Sequence, residues 1–186
     1  YTSSIVSPDL ALITNIGDSH LEYLKNRKGV FTEKSALLKE TIKCDGKVFI
    51  NNDDKILKEF GKSVKNKITY ALHEKADYKA TIKSYDKLAR PQIEIKSKKN
   101  IFEATLPISG EKNVLNFTAA YAIASELGLS NSQIQKAVKK IKSYNKRLEI
   151  KNLKKFTLIN DTYNANPDSM KSSIDILNKI ESRKTG

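Results

Sequence analysis

Three short apolar runs, each cut off by a cluster of polar residues, constrain this chain more than any other feature. Leu10-Ala11-Leu12-Ile13 ends in Thr14-Asn15-Ile16-Gly17-Asp18-Ser19-His20. Lys47-Val48-Phe49-Ile50 ends in Asn51-Asn52-Asp53-Asp54, and Phe156-Thr157-Leu158-Ile159 ends in Asn160-Asp161-Thr162-Tyr163-Asn164-Ala165-Asn166. An uninterrupted run this short suits a strand buried on both faces, as in a parallel sheet covered by helices. In open α/β sheets, ligands bind beyond the strand C-terminal ends, which is where such polar clusters fall. The fold class expected is therefore α/β.

The segments between the runs support this. Val30, Lys34, Leu37, Leu38 and Thr41 form one helical stripe, a second helix runs from about Asp54 to Phe60, and Lys67 to Leu72 is a further strand. The texture then changes. Tyr78 to Tyr85, Gln92 to Lys96 and Ile101 to Leu106 alternate apolar and polar residues, which predicts a small antiparallel sheet attached to the parallel core. Gly110-Glu111-Lys112-Asn113 opens a helix that is apolar nearly all round and so buried, with Gly128 as the residue that ends it. Ser130 and Gln133 have capping-box spacing, and Ile134, Ala137, Val138 and Ile141 predict the buried stripe of the helix they start.

The polar stretch Ser143 to Lys146 marks a boundary, giving a first unit over 1–145 and a second over 146–186. The second opens with the strand Phe156–Ile159. Asn166 then caps a helix that has Pro167 in its first turn, Asp168 complementing its dipole, and Met170, Ile174, Leu177 and Ile180 as its buried stripe. One strand and one helix cannot bury their own faces, so this unit is expected to be incomplete here.

Composition narrows the function classes. Of 186 residues, 39% are hydrophobic and 30% charged, too apolar for a disordered chain and too polar for a membrane protein. Cys44 is the single cysteine, which excludes a disulfide framework and favours a reducing, cytoplasmic setting. The chain opens on Tyr1 with neither an initiator Met nor a signal-peptide pattern, and reads as a piece of a longer protein. The net charge of +13 comes mostly from dispersed lysines, with arginine only at 27, 90, 147 and 183. Nucleic-acid sites favour Arg forks and exposed aromatics, so a solvated lysine-rich surface is the expectation and a polyanion-binding module the alternative.

Some side chains stand out chemically. His20 follows a buried strand, whereas His73 precedes a charged pair and reads as surface. Lys34 interrupts an apolar stripe: it either snorkels to solvent or is a desolvated amine able to take up CO₂ as a carbamate. Asn113 and Asn116 share a face of the first turn of their helix and offer amides suited either to capping or to a base edge.

The strings "PDLALITNIGDSHLEYL", "EKSALL", "VFINNDD", "GEKNVLNFTAAYAIASELGL", "NKRLE" and "INDTYNANPDSM" follow one another in this chain. Across nearly its whole length, the sequence resembles the second half of the central ATPase domain of the Mur ligases and the first strand and helix of their Rossmann-like C-terminal domain. "YNANP" resembles the branch that joins D-Ala-D-Ala to UDP-MurNAc-tripeptide in peptidoglycan synthesis; folylpolyglutamate synthases, the related alternative, lack it. The resemblance implies an ATP-dependent ligase. ATP phosphorylates the tripeptide's terminal carboxylate, and the dipeptide amine attacks the acyl phosphate while Mg²⁺ neutralises phosphate charge. It also implies a monomer with no nucleic-acid or membrane partner.

The same resemblance implies residue roles. His20 would be a Mg²⁺ ligand, and Lys34, as a carbamate, would help hold Mg²⁺. Asn113 and Asn116 would meet adenine, Arg147 the nucleotide, Asp161 the ribose hydroxyls, and Tyr163 the nucleotide's surroundings. Asn15, Asn164 and Asn166 would lie on the substrate side. Lys112 stands where the family often has His and could meet phosphate charge instead. The family's Gly-rich phosphate loop is not in this sequence, so this piece alone is not expected to ligate.

Overall fold

The computed structural model describes residues 5, 7–17, 24–142, 147–163 and 167–180. Its parallel half consists of β1 (Leu10–Leu12), β2 (Lys47–Asn51) and β3 (Lys67–Ala71), paired in that order. Two helices, α1 (Arg27–Lys43) and α2 (Lys55–Gly61), cover one face. There Val30, Leu38, Val48, Ile50 and Leu57 are all at most 1% exposed. The opposite face of the sheet is covered by α3 (Glu111–Glu126), whose Val114, Tyr121 and Ala122 pack with Phe49, Tyr70 and Ile95. Together these account for the apolar runs, since strands covered on both faces have no solvent side to mark with polar residues.

The expected antiparallel strands are present as β4 (Tyr78–Tyr85), β5 (Pro91–Lys96) and β6 (Ile101–Thr105). They continue the same six-stranded sheet, because β4 pairs in parallel with β3 at Tyr70↔Tyr78 and Ala71↔Lys79. Asp77 makes this join. Its carboxylate accepts from the Thr69 N–H at 2.9 Å and the Thr69 hydroxyl at 2.7 Å, while its own N–H donates to Thr69 Oγ1 at 2.8 Å. The chain is thereby folded back beside the end of β3. The rest of β4 runs past β3 and pairs only with β5.

Helix ends follow the sequence signals. Gly128 adopts φ 85°, and the N–H groups of Gly128 and Leu129 donate to the carbonyls of Ser125 and Ala124, closing α3. Ser130 and Gln133 form the capping box of α4 (Asn131–Val138). The predicted stripe is corrected at two positions. Ile134 and Val138 are buried, but Ala137 is exposed, and α4 ends before Ile141, which is half-buried beyond it.

The second unit differs more from expectation. A strand not foreseen in the sequence, β7 (Glu149–Asn152), pairs antiparallel with β8 (Thr157–Asn160). In α5 (Pro167–Lys179), Met170, Ile174 and Leu177 are 57–58% exposed, and the buried side chain is Ile176, 3% exposed. The predicted buried stripe therefore faces outward, apart from half-buried Ile180. The cause is docking of α5 on the first unit through Ile176. The Ile176 Cδ1 lies 3.3 Å from where a Cβ on Gly110 would sit, and the Leu148 Cδ1 lies 3.5 Å from it. At φ 96° and with this close approach, only glycine suits position 110. The expected boundary at Ser143 to Lys146 and the expected cap Asn166 lie outside the described residues.

Candidate active site at the rim of the sheet

The polar strand ends hold one another. The Asn51 Nδ2 donates to the Thr14 carbonyl at 2.8 Å, and the Ile16 N–H donates to Asp54 Oδ2 at 2.6 Å. The other Asp54 oxygen accepts the N–H groups of Ile56 and Leu57, capping α2. Asp53 gathers three backbone donors, Leu72 N at 2.6 Å, His73 N at 3.1 Å and Glu74 N at 2.8 Å. Segment 51–54 thus ties the ends of β1 and β3 to that of β2. Sequence reasoning placed these residues at the rim but missed this organising role. Side chain–backbone bonds across such sequence distances leave no periodic signal.

Lys34 comes to the same rim. It is half-buried on α1, and its Nζ donates to the Asn15 carbonyl at 3.3 Å. Two residues singled out in the sequence are so brought together. The third at this end, His20, lies outside the described residues, as do Asn164 and Asn166. Among the described residues, no group of three His, Cys, Asp or Glu side chains could hold a metal ion. Mg²⁺ is a hard cation that takes mostly oxygen ligands, so a shell containing His20 needs oxygen donors beside it. Lys34 fits that requirement only as a carbamate, because an ammonium would repel the ion.

A second group of predicted residues lies where α5 meets α3. Asn113, half-buried, donates its Nδ2 to the Ser109 carbonyl at 2.7 Å, and Asn116 is exposed one turn further on. A cleft beside them is lined by Gly110, Lys112, Ser172, Asp175, Ile176 and Lys179. The Arg147 guanidinium lies 3.9 Å over the Tyr163 ring. Asp161 accepts from the Leu148 N–H at 3.1 Å and the Ser173 hydroxyl at 2.6 Å, so its carboxylate already holds β8 to α5. The Lys179 Nζ donates to the Tyr85 hydroxyl at 3.1 Å and lies 3.5 Å from Glu111, linking α5 to β4 and α3. His73 is exposed, as expected, and 3.7 Å from Glu111.

The family described as Mur ligase middle domain matches residues 1–124. A UDP-N-acetylmuramoyl-tripeptide–D-alanyl-D-alanine ligase of Bacillus subtilis is 33% identical over 180 residues, covering 96% of this chain and 38% of that protein. MurF from Acinetobacter baumannii superposes with a TM-score of 0.84 at 31% identity, over 96% of this chain and 39% of that one. MurF ligase from Thermotoga maritima, solved in complex with ADP, gives 0.83 at 22% identity over 96% of this chain and 41% of that one, and shows the fold alone. The chain thus spans about two-fifths of the length of these relatives. Matched from its first strand through most of α3, and aligned along nearly all its length with ligases that include the one of Bacillus subtilis, the chain belongs to the Mur ligase family.

Proposed function

We propose that this chain is part of an ATP-dependent amide-bond ligase that adds D-Ala-D-Ala to UDP-MurNAc-tripeptide in peptidoglycan synthesis. The observation that carries the reading is Lys34, a half-buried residue of α1 whose Nζ reaches the strand rim and donates to the carbonyl of exposed Asn15. A surface lysine gains little from such a place, whereas a carbamate formed there directs negative charge at the rim, where α/β sheets bind ligands. The chemistry needs that charge. A carboxylate is a poor electrophile until phosphorylation gives it a leaving group, and the phosphates must be held and neutralised meanwhile.

In this reading Lys34, as a carbamate, and His20 hold Mg²⁺, which supplies charge neutralisation on the phosphates when bound. Asn113 and Asn116 face the base of ATP at the mouth of the cleft between α3 and α5. Arg147, Asp161 and Tyr163 line the sugar side. Asp161 does so by fixing the joint between β8 and α5 as well as by any contact with the ribose. Asn15, Asn164 and Asn166 lie toward the peptide substrates. The enzyme acts as a cytoplasmic monomer, where ATP and the UDP-linked precursor are available. Among the described residues, no helix is long and apolar enough to cross a membrane.

The test is phosphate release from ATP, measured with the whole ligase, UDP-MurNAc-tripeptide and D-Ala-D-Ala. Lys34→Ala is expected to lower kcat by roughly 10²-fold, as for loss of one group that stabilises transition-state charge. Acetate should restore part of the loss, and Lys34→Arg should restore none, because it keeps a cation beside the phosphates. Full activity in Lys34→Arg would overturn the assignment.

A further inference from the structure

Segment 14–16 has no regular secondary structure, yet it is held on both sides of Asn15. On one side the Thr14 carbonyl accepts from Asn51 Nδ2 at 2.8 Å; on the other the Ile16 N–H donates to Asp54 Oδ2 at 2.6 Å. Neither clamp is free to turn. Asn51 is 2% exposed, and its Oδ1 accepts the Asp53 N–H at 2.9 Å. The second Asp54 oxygen is occupied by the first N–H groups of α2. Ile16 is 4% exposed and packs in the core formed by β1, α1 and α2. The peptide carbonyl between the clamps, that of Asn15, accepts from the Lys34 Nζ.

We infer that Asn51 and Asp54 are positioning residues for Lys34, acting through the carbonyl of Asn15 to fix where a carbamate on that lysine points. The inference rests on the proposed role of Lys34. In the covalent step the lone pair of the neutral amine forms a bond to the carbon of CO₂, and one electron pair of a C=O bond moves onto oxygen. One proton then leaves the nitrogen for solvent, so a neutral amine and CO₂ give a carbamate of charge −1 and H⁺. One N–H remains on that nitrogen. The carbamate is planar like an amide, so a single acceptor for its N–H sets the direction of its carboxylate. The Asn15 carbonyl is such an acceptor in both the amine and carbamate forms. A lysine stem has enough rotamer freedom that, without this acceptor, the charge would not be fixed in place.

The whole ligase carrying Asp54→Ser tests this. Serine keeps the cap on α2 but is too short to reach Ile16 as well. Asn51→Ser, which drops the bond to Thr14 and leaves the Asp54 cap in place, is the second variant should the first fail to fold. The first readout is the carbamate carbon signal in ¹³C NMR during titration with ¹³C-bicarbonate. The second is the split of kcat from the KM for ATP. The bicarbonate concentration giving half-occupancy is expected to rise at least fivefold. At ambient CO₂, kcat should fall about tenfold and recover with added bicarbonate, with the KM for ATP unchanged. A variant that is less stable but titrates with bicarbonate like the wild type would overturn the positioning role. A wild-type protein with no carbamate signal would instead overturn the reading of Lys34, so the two failures are distinguishable.

Discussion

The parallel half of the sheet and the unit formed by β7, β8 and α5 open alike, each with a short apolar strand, a polar rim and an amphipathic helix, yet they end up packed quite differently. In the first, Leu38 of α1 and Val48 and Ile50 of β2 are fully buried. In the second, Phe156, Leu158, Met170, Ile174 and Leu177 are 41–60% exposed and, among the described residues, Ile176 alone is deeply buried. An amphipathic pattern shows only that a face is available for burial; the neighbours decide whether it is buried. Strands β1 to β3 have helices on both sides of their sheet, whereas among the described residues the unit of the β7–β8 ribbon has the helix α5, which docks through Ile176 on the first unit.

Core truncations sharpen this contrast most. Leu38→Ala should cost about 2–5 kcal/mol in urea unfolding, as expected for a leucine with no solvent contact. Leu177→Ala, at an equally leucine-rich position in sequence terms, should stay within about 0.5 kcal/mol. Comparable losses at the two sites would mean that α5 is covered in solution and would break the comparison.

A smaller effect distinguishes the units by pH. Glu126 accepts from the Lys47 Nζ at 2.7 Å and the Tyr78 hydroxyl at 3.1 Å, joining the end of α3 to β2 and β4. The Lys47 hydrogen bond, helped by that of Tyr78 and opposed by burial, holds the Glu126 carboxyl below its ordinary value. Burial and the Glu126 contact push the Tyr78 phenol up to about 12, so it remains a donor at any working pH. A depressed carboxylate stabilises the fold above its unfolded value of 4.5, and this is lost as pH falls through the lower folded value. Glu126→Gln should therefore cost about 1 kcal/mol at pH 7 and have progressively less effect below pH 4.5. A difference from wild type that persisted undiminished at pH 3 would show that the pair contributes through packing instead.

The smallest effect on stability is expected at the link between the units. Lys179 is more than one-third exposed, so Lys179→Ala should change unfolding by no more than about 0.5 kcal/mol. Amide exchange should nevertheless accelerate in α5 and not in α1, because the Tyr85 and Glu111 contacts hold α5 in place. Equal acceleration in both helices would show that the units unfold together.

What the sequence made legible was local. The apolar runs at Leu10 and Val48 marked strands buried on both faces, and Gly128 with Ser130 and Gln133 marked helix ends, because each signal lies within a few residues of its effect. Lys34 was visible as a charge inside an apolar stripe. Strand β7 was not, since Glu149-Ile150-Lys151-Asn152 has one apolar residue and no pattern to distinguish it from a loop. The facing of α5 was misjudged because Ile176 lies off the regular stripe, and its contact at Gly110, together with the Lys179 contacts to Tyr85 and Glu111, is made far away in sequence. At the candidate site, the residue types at the rim were legible, but the clamp on Asn15 depends on partners 37 and 38 residues apart.

The switch from parallel to antiparallel pairing at β4 also bears on the order in which the sheet assembles. Strands β4, β5 and β6 pair through short connections, so little chain entropy is lost in bringing them together. Leu10 must find Lys47 across the whole of α1, and Val48 must find Lys67 across α2. Sheets rich in such distant pairings form slowly. The antiparallel wing is therefore expected to form early, with the parallel strands adding to it through the two-residue overlap at Tyr70 and Ala71. The rim that holds Asn15 against Lys34 needs β1, β2 and α1 all in place, so its completion is expected to come late.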